Sequence, residues 1–328
     1  MTAHRLALIL TCLGAPGFAA EKPVPPRFAP EIEDFVRAFK PGGHDLTGQA
    51  RILPPAEALK AMKLPEGYAA ELVASEPDIR QPIDLRFDER GRLWVVEFIQ
   101  YPFPAGLTVT AYDQYIRAEF DRVPPPPPRH TRGADRITIL EDRDGDGKFE
   151  TRKTFLDGLN LATSVLPGDG GAWVLMPPYL LFYPDRDGDD VPDGDPEVHL
   201  AGFGLEDTHS VANSLRWGPD GWLYGTQGIF TQSLVGKPNA PKEQRTFVDA
   251  GIWRFHPLDG RFELWAEGGS NQWGVDWNDQ GEAFFEACVI PHLWHAMEGA
   301  RYLRQAGPHP NPHTYADIQT IAWGRYEK

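Results

Sequence analysis

Cysteine is nearly missing: the 328 residues contain two, Cys12 and Cys288. Cys12 falls in the leader described below, so no internal disulfide framework is expected, and no CxxCH motif exists to attach a heme. Also missing is any apolar run approaching the roughly 20 residues that a membrane helix needs, so the chain is not expected to span a membrane. Positive charge is scarce, with 32 Lys and Arg against 47 Asp and Glu and a net charge of −15. Nucleic acid is therefore an unsuitable partner.

Residues 1–20 have the form of a secretory signal: Arg5, an apolar run over 6–13, a Gly14-Ala15-Pro16 break, then Ala19-Ala20. The residues before Cys12 make a poor lipobox, so an exported or periplasmic product without a lipid anchor is expected. Residues 21–63 read as a Pro-rich lead with two short helices, at 31–40 and 54–63. The remainder, 64–328, reads as one domain of strands.

What is abundant is glycine (33), proline (32) and aromatic residues at 12%, the composition of an all-β chain of many turns. One phrase recurs, an apolar alternation, a polar turn ending in Gly, then an aromatic strand. It stands at 85–94 (LRFDERGRLW), 215–224 (LRWGPDGWLY) and 275–284 (VDWNDQGEAF), with a looser copy at 166–175 (LPGDGGAWVL). Each predicts a β-hairpin. With units of about 40 to 50 residues, the pattern predicts a β-propeller of the six-bladed type. About five blades are counted, which implies an incomplete ring. An insertion is expected at about 108–132, where Pro124 to Pro128 cannot donate ladder hydrogen bonds. A β-sandwich with decorated loops is the other architecture this pattern allows.

A second phrase repeats at an offset of 43 residues, DRDGDG at 142–147 and DRDGDD at 185–190. Asp142, Asp144, Asp146 and Glu150 take positions 1, 3, 5 and 9 of a calcium loop, and Asp185, Asp187, Asp189 and Asp193 repeat them. Alternate carboxylates in a tight loop can converge on a hard cation, and without one they repel each other. Both loops lack the bidentate acid at position 12, so structural Ca²⁺ sites of modest affinity are expected; an acidic, solvated hairpin tip is the bland reading.

The stretch 207–228 (DTHSVANSLRWGPDGWLYGTQG) places a polar cluster just before a blade strand. Here the chain resembles the sorbosone and soluble glucose dehydrogenases, propellers whose pyrroloquinoline quinone (PQQ) enzymes carry a base His ahead of a Gly-Pro-Asp strand. The resemblance makes His209 the base that takes a sugar or polyol hydroxyl proton. It also places Asn271 of the phrase 267–277 (EGGSNQWGVDW) in the cofactor or substrate shell, together with Asn213 and Gln227. Ser270 stands where that family carries a cofactor-facing Arg, which removes a cationic clamp for a trianionic quinone.

The chain resembles more closely the membrane-bound dehydrogenase domain family, through 64–68 (LPEGY), 71–77 (ELVASEP), 86–97 (RFDERGRLWVVE), 158–160 (GLN) and the 214–225 strand. Its larger members join such a propeller to helical repeats and a cytochrome c module. The resemblance implies PQQ-type oxidation of a sugar or polyol, with a cytochrome c as a possible electron acceptor. Two other functions stay open. One is a non-catalytic carbohydrate- or polymer-binding propeller; the other is a metal-assisted lactonase or hydrolase caged by Glu97, Asn160, Asn213 and Asn271. His292, His295, His309 and His313 read as loop or channel-lining histidines rather than as a transition-metal site, and Cys288 as a small buried residue.

Overall fold

A computed structural model describes residues 22–38, 53–115, 117–312 and 316–321. The leader expected at 1–20 lies outside the described residues. The protein is all-β, a β-propeller of antiparallel sheets with short helices before it.

Blade 1 is formed by Pro82–Phe87, Leu93–Glu97, Asp135–Glu141 and Thr151–Leu159, and blade 2 by Ser164–Gly168, Gly171–Met176, Tyr179–Pro184 and Glu197–Ala201, in that order across each sheet. Blade 3 takes Asn213–Trp217, Leu223–Gln227, Gly251–His256 and Arg261–Gly268, with Arg301–Tyr302 added in parallel at its outer edge. Blade 4 is three-stranded: Val275–Trp277, Ala283–Glu286 and Leu293–Ala296.

The four recurring phrases are the first hairpins of the four blades. Their turn glycines, Gly91, Gly170, Gly221 and Gly281, all have φ between 74° and 80°, a region that L side chains enter only with strain. The first strands of blades 1, 2 and 3 lie side by side and are stitched by hydrogen bonds. Ser164 Oγ donates to Asp84 and accepts the Leu215 N–H at 2.9 Å, and Arg86 Nε donates to the Leu215 carbonyl at 3.1 Å.

Apolar clusters fill the seams between neighbouring blades: Trp94, Ile137, Val165 and Val174 between blades 1 and 2, Trp173, Leu200, Leu223 and Trp253 between 2 and 3, Tyr224, Ile252, Phe285 and Trp294 between 3 and 4. The second strands Leu93–Glu97 and Leu223–Gln227 are buried along their whole length, because each packs against neighbours on both faces.

Four radial sheets form among the described residues, against the expected count of about five. Two further hairpins pair outside the radial sheets. Ser233–Val235 pairs with Thr246–Val248 within blade 3's second connection, and Thr108–Tyr112 pairs with Ala118–Phe120 within blade 1's. These two insertions account for the irregular spacing of the Gly turns.

The expected 108–132 excursion carries more structure than a proline-rich loop. Thr108–Tyr112 also pairs in parallel with Arg27–Phe28 of the lead segment, and the Pro row is held where the Pro124 carbonyl accepts the Tyr179 hydroxyl at 2.6 Å. Asn160 fastens its base: its Oδ1 accepts the Ala105 N–H at 2.7 Å while its Nδ2 donates to the carbonyls of Ala105 (3.0 Å) and Thr131 (3.2 Å). Asn160→Ala strands the buried Ala105 amide and is expected to cost about 1–3 kcal/mol, read as a lower urea midpoint at unchanged slope.

Both lead helices form where expected, the second shorter than 54–63, while residues 39 and 40 of the first lie outside the described residues. A 3-10 turn at Pro30–Ile32 runs into Glu33–Ala38, and the second helix is Pro55–Ala61, with Pro at its first position, where no N–H is missed. Among the described residues no helix is long and apolar enough to cross a membrane.

Candidate active site and metal loops

His209 lies in the connection from blade 2 to blade 3, directly ahead of Asn213–Trp217. Its backbone N–H and its Nδ1 both reach Asp207 Oδ1 at 3.0 Å. A carboxylate can only accept, so Nδ1 carries the hydrogen and Nε2 of the neutral ring is bare. Into that nitrogen points the Tyr101 hydroxyl at 2.5 Å, from the loop following the second strand of blade 1. The hydrogen bond that His209 Nδ1–H donates to Asp207 raises the His209 pKa above the ordinary imidazole value, against a smaller opposing effect of burial. Burial raises that of Tyr101, and the Asp207 charge adds to it. The imidazole stays open to solvent, its side chain 68% exposed.

Blade 4's entry loop supplies the facing wall. Trp273 Nε1 donates to the His209 carbonyl at 2.9 Å, and Asn271 Oδ1 accepts the Ser210 hydroxyl at 2.6 Å. His209, Tyr101, Asn271, Trp273 and Cys288 thus line one cleft of about 420 Å³ at the end of the propeller where connections from blades 1, 3 and 4 meet. Chemically this is an Asp–His–Tyr chain able to take a proton from an O–H group. Cys288 is exposed on its rim, not buried as expected.

The other two residues assigned to the cofactor shell are not on the cleft. Asn213 is fully buried; its Nδ2 donates to the carbonyls of Val211 and Gln272, each at 2.9 Å, and its Oδ1 accepts the hydroxyls of Ser214 and Thr226. Gln227 is buried too, donating to the Thr231 carbonyl at 2.7 Å and accepting from Ser233 at 2.5 Å. Both amides therefore brace the inner part of blade 3. Nor does the imagined hydrolase cage assemble. Glu97 is buried against Arg136 (2.9 Å) and Thr138 (2.5 Å), and Asn160 serves the insertion as described.

The two Asp-rich loops occupy the same place in consecutive blades, the turn between third and fourth strands. In the first, carboxylate oxygens of Asp142, Asp144, Asp146 and Glu150 lie within 4.8 Å of one another; in the second, those of Asp185, Asp187 and Asp189 do. Glu150 and Asp193 close their loops alike, accepting the N–H of Arg143 and of Arg186 at 3.0 Å. Asp193, one methylene shorter, stays outside the second oxygen group, which departs from the expected four-ligand repeat. Position 6 is Gly147 at φ 86° in one loop and Asp190 at φ 64° in the other; Arg92 Nη1 holds the Asp190 carboxylate at 2.8 Å and steadies that conformation. Burial, then the neighbouring charges of Asp189 and Asp190, raise the Asp185 pKa despite bonds from two backbone N–H groups. An all-oxygen donor set of this kind suits a hard cation.

Among the described residues the C-terminal histidines join no such cluster. His295 stacks on Phe284 at 5.2 Å and His309 faces Asp317 at 3.3 Å, while His313 lies outside the described residues.

PQQ does not suit the cleft. No Lys or Arg side chain among the described residues lines it, and Ser270, standing at the position of the expected Arg, is buried with its hydroxyl donated to Gln305.

A family model for a domain of unknown function, DUF7133, matches residues 54–323. No curated protein matches the chain. Among solved structures, a protein assigned as a gluconolactonase is similar at 11% identity and a TM-score of 0.35, over 69% of this chain and 62% of its own length. This chain thus spans less than two thirds of that protein. An oxidoreductase from Thermus thermophilus assigned as a glucose dehydrogenase is similar at 18% identity and a TM-score of 0.37, over 73% of this chain and 68% of its own. The virginiamycin B lyase of Staphylococcus aureus is similar at 13% identity and a TM-score of 0.28, over 65% of this chain and 80% of its own.

Proposed function

The chain belongs to the DUF7133 family, and from that premise, which carries no activity with it, we propose that the protein is an exported, periplasmic propeller enzyme of dehydrogenase-like type acting on a hydroxyl-bearing substrate. The observation that carries this reading is the Asp207–His209–Tyr101 chain opening into a cleft shared with Asn271 and Trp273. The substrate hydroxyl gives its proton to the Tyr101 oxygen as Tyr101 passes its own to His209 Nε2. Asp207 fixes the tautomer and stabilises the imidazolium that results. Asn271 and Trp273 orient the substrate on the facing wall. Ca²⁺ in the two Asp-rich loops serves the scaffold, neutralising carboxylates far from this chemistry in the blade turns.

Because the cleft lacks the cations a trianionic quinone needs, PQQ takes no part in this step; oxidation of the carbinol carbon, which breaks its C–H bond and releases two electrons, needs a two-electron hydride acceptor from outside the chain, and a cytochrome c could only reoxidise that acceptor one electron at a time. That same lack favours a second reading. As a lactonase, the enzyme would use the same base to take a proton from water as its oxygen adds to a lactone carbonyl, and return it to the departing ring oxygen; no electron acceptor is needed.

Both readings are tested with one protein. The Ca²⁺-loaded chain is given sugars and polyols with an external dye, and separately lactones with a pH indicator. Activity in either assay that vanishes in His209→Ala supports the proposal and says which branch holds. Background rates in both leave a non-catalytic carbohydrate-binding propeller. The pH profile adds an independent check. Because Asp207 raises the His209 pKa, the base form and the rate appear at higher pH than they would with an unpaired imidazole. Asp207→Asn should move the acidic limb of kcat/KM to lower pH and cut the plateau by at least about 10-fold.

A further inference from the structure

Beside His209, on the side away from Asn271, lies a second cavity of about 620 Å³. Its size is that of a small-molecule site, for which about 300–1,000 Å³ is usual. The wall is hydrocarbon from four separate parts of the chain: Phe28 and Phe35 of the lead, Phe103 of blade 1's loop, Tyr112 and Phe120 of the insertion, and Leu205. Polar groups gather at one end, where Asp207, His209 and Tyr101 form part of the lining. Glu206 adds one more, its Oε2 buried with no hydrogen-bond partner.

This is no slack between loosely placed loops. The lead is tied down by strand pairing of Arg27–Phe28 with Thr108 and Val109, and by exchange of hydrogen bonds between Val24 and the Gln100 side chain at 3.0 and 3.1 Å. Phe28 meets Phe103 edge-on at 5.7 Å, and Phe35 meets Tyr112 at 5.6 Å. Protein interiors pack to crystal density, so an apolar hollow this large costs stability unless something fills it. The insertion and lead, whose strands pair outside the four radial sheets, together build it beside Tyr101 and His209.

We propose that this cavity holds the apolar arm of the substrate, so that the hydroxyl compound is an aryl- or alicyclic-substituted alcohol, or its lactone, rather than a free sugar or polyol. The proposal deepens the reading of His209 as base and rests on it for the placement of the reacting group. A ring of one or two fused six-membered cycles would lie between Phe120 and Phe103, its hydroxyl-bearing carbon reaching the Tyr101 oxygen. A polyol there would leave its hydroxyls without partners along a hydrocarbon wall.

Titration calorimetry with 2-naphthylmethanol, and with glucose as comparator, tests this without any turnover. Two variants are used. Ala118→Phe fills the cavity from its wall. Phe35→Asp puts a charge at its mouth from a half-exposed residue of the lead helix, outside the blades, where it cannot unfold the propeller. Naphthylmethanol should bind the wild type, bind at least about 10-fold more weakly to each variant, and resist displacement by glucose. Equal affinity in the wild type and Phe35→Asp, or no binding by the wild type, overturns the proposal. The two readings fail separately: naphthylmethanol binding that the variants abolish, without turnover in either assay, keeps the cavity and removes the reaction. Turnover of polyols without naphthylmethanol binding does the reverse.

Discussion

His209→Ala should lower kcat/KM by about 10²–10⁴-fold while leaving thermal unfolding unchanged. The size follows from what is lost, the imidazole of the cleft, which is already oriented by Asp207 and joined to Tyr101. The side chain is 68% exposed, so its removal opens no cavity in a blade seam and costs little stability. Tyr101→Phe tests the relay separately. If the hydroxyl carries the proton, its loss should reduce the rate nearly as far as the loss of His209, because groups that act as one chain are not additive. A Tyr101→Phe rate within about threefold of wild type would instead put His209 in direct contact with the substrate.

Chelation of calcium should lower the melting temperature by about 10–20 °C. A ligand held at 100 times its dissociation constant stabilises the folded state by about 2.7 kcal/mol per site, and two independent loops double that to about 5 kcal/mol. For domains of a few hundred residues each kcal/mol shifts the midpoint by roughly 2–4 °C. The loops also differ in a way that can be read. Asp142→Ala removes a member of the four-carboxylate group and should abolish one calorimetric binding event, whereas Asp193→Ala, outside its oxygen group, should weaken the second only modestly. A melting curve that EGTA leaves in place would show the loops to be solvated hairpin tips.

Much of this architecture was legible because it rests on local chemistry. The turn glycines 91, 170, 221 and 281 need a left-handed backbone whatever lies around them, and so announced all four inner hairpins. The Asp repeats were legible for the same reason, since alternate residues in a tight turn converge by geometry. Direction was not legible. Asn213 and Gln227 sit in neighbouring strands of a polar stretch and look available, yet the strands turn both inward, where their amides satisfy backbone groups. Nothing in the local sequence distinguishes an amide that greets a ligand from one that braces a sheet. Partners distant in the chain were hidden as well. Tyr101 meets His209 across 108 residues, and only the ring arrangement of the blades brings them together. Asp207, two positions before His209, stood within the polar stretch already singled out, and its short carboxylate at that offset was the available sign. The lead segment read as a Pro-rich stretch with two short helices and no assigned role, but its pairing with the insertion makes it a wall of the larger cavity.

The account depends on connections from blades 1, 3 and 4 meeting at one opening, with His209 and the rim residue Cys288 facing the same space. A nitroxide attached to Cys288, in protein whose Cys12 is replaced by Ser, tests that convergence without any substrate. The ring resonance of His209, identified by its disappearance in His209→Ala, should be broadened by the oxidised label and restored when the label is reduced. A His209 signal that keeps its full intensity beside the oxidised label would place the two residues on separate surfaces and leave the cleft without its chemistry.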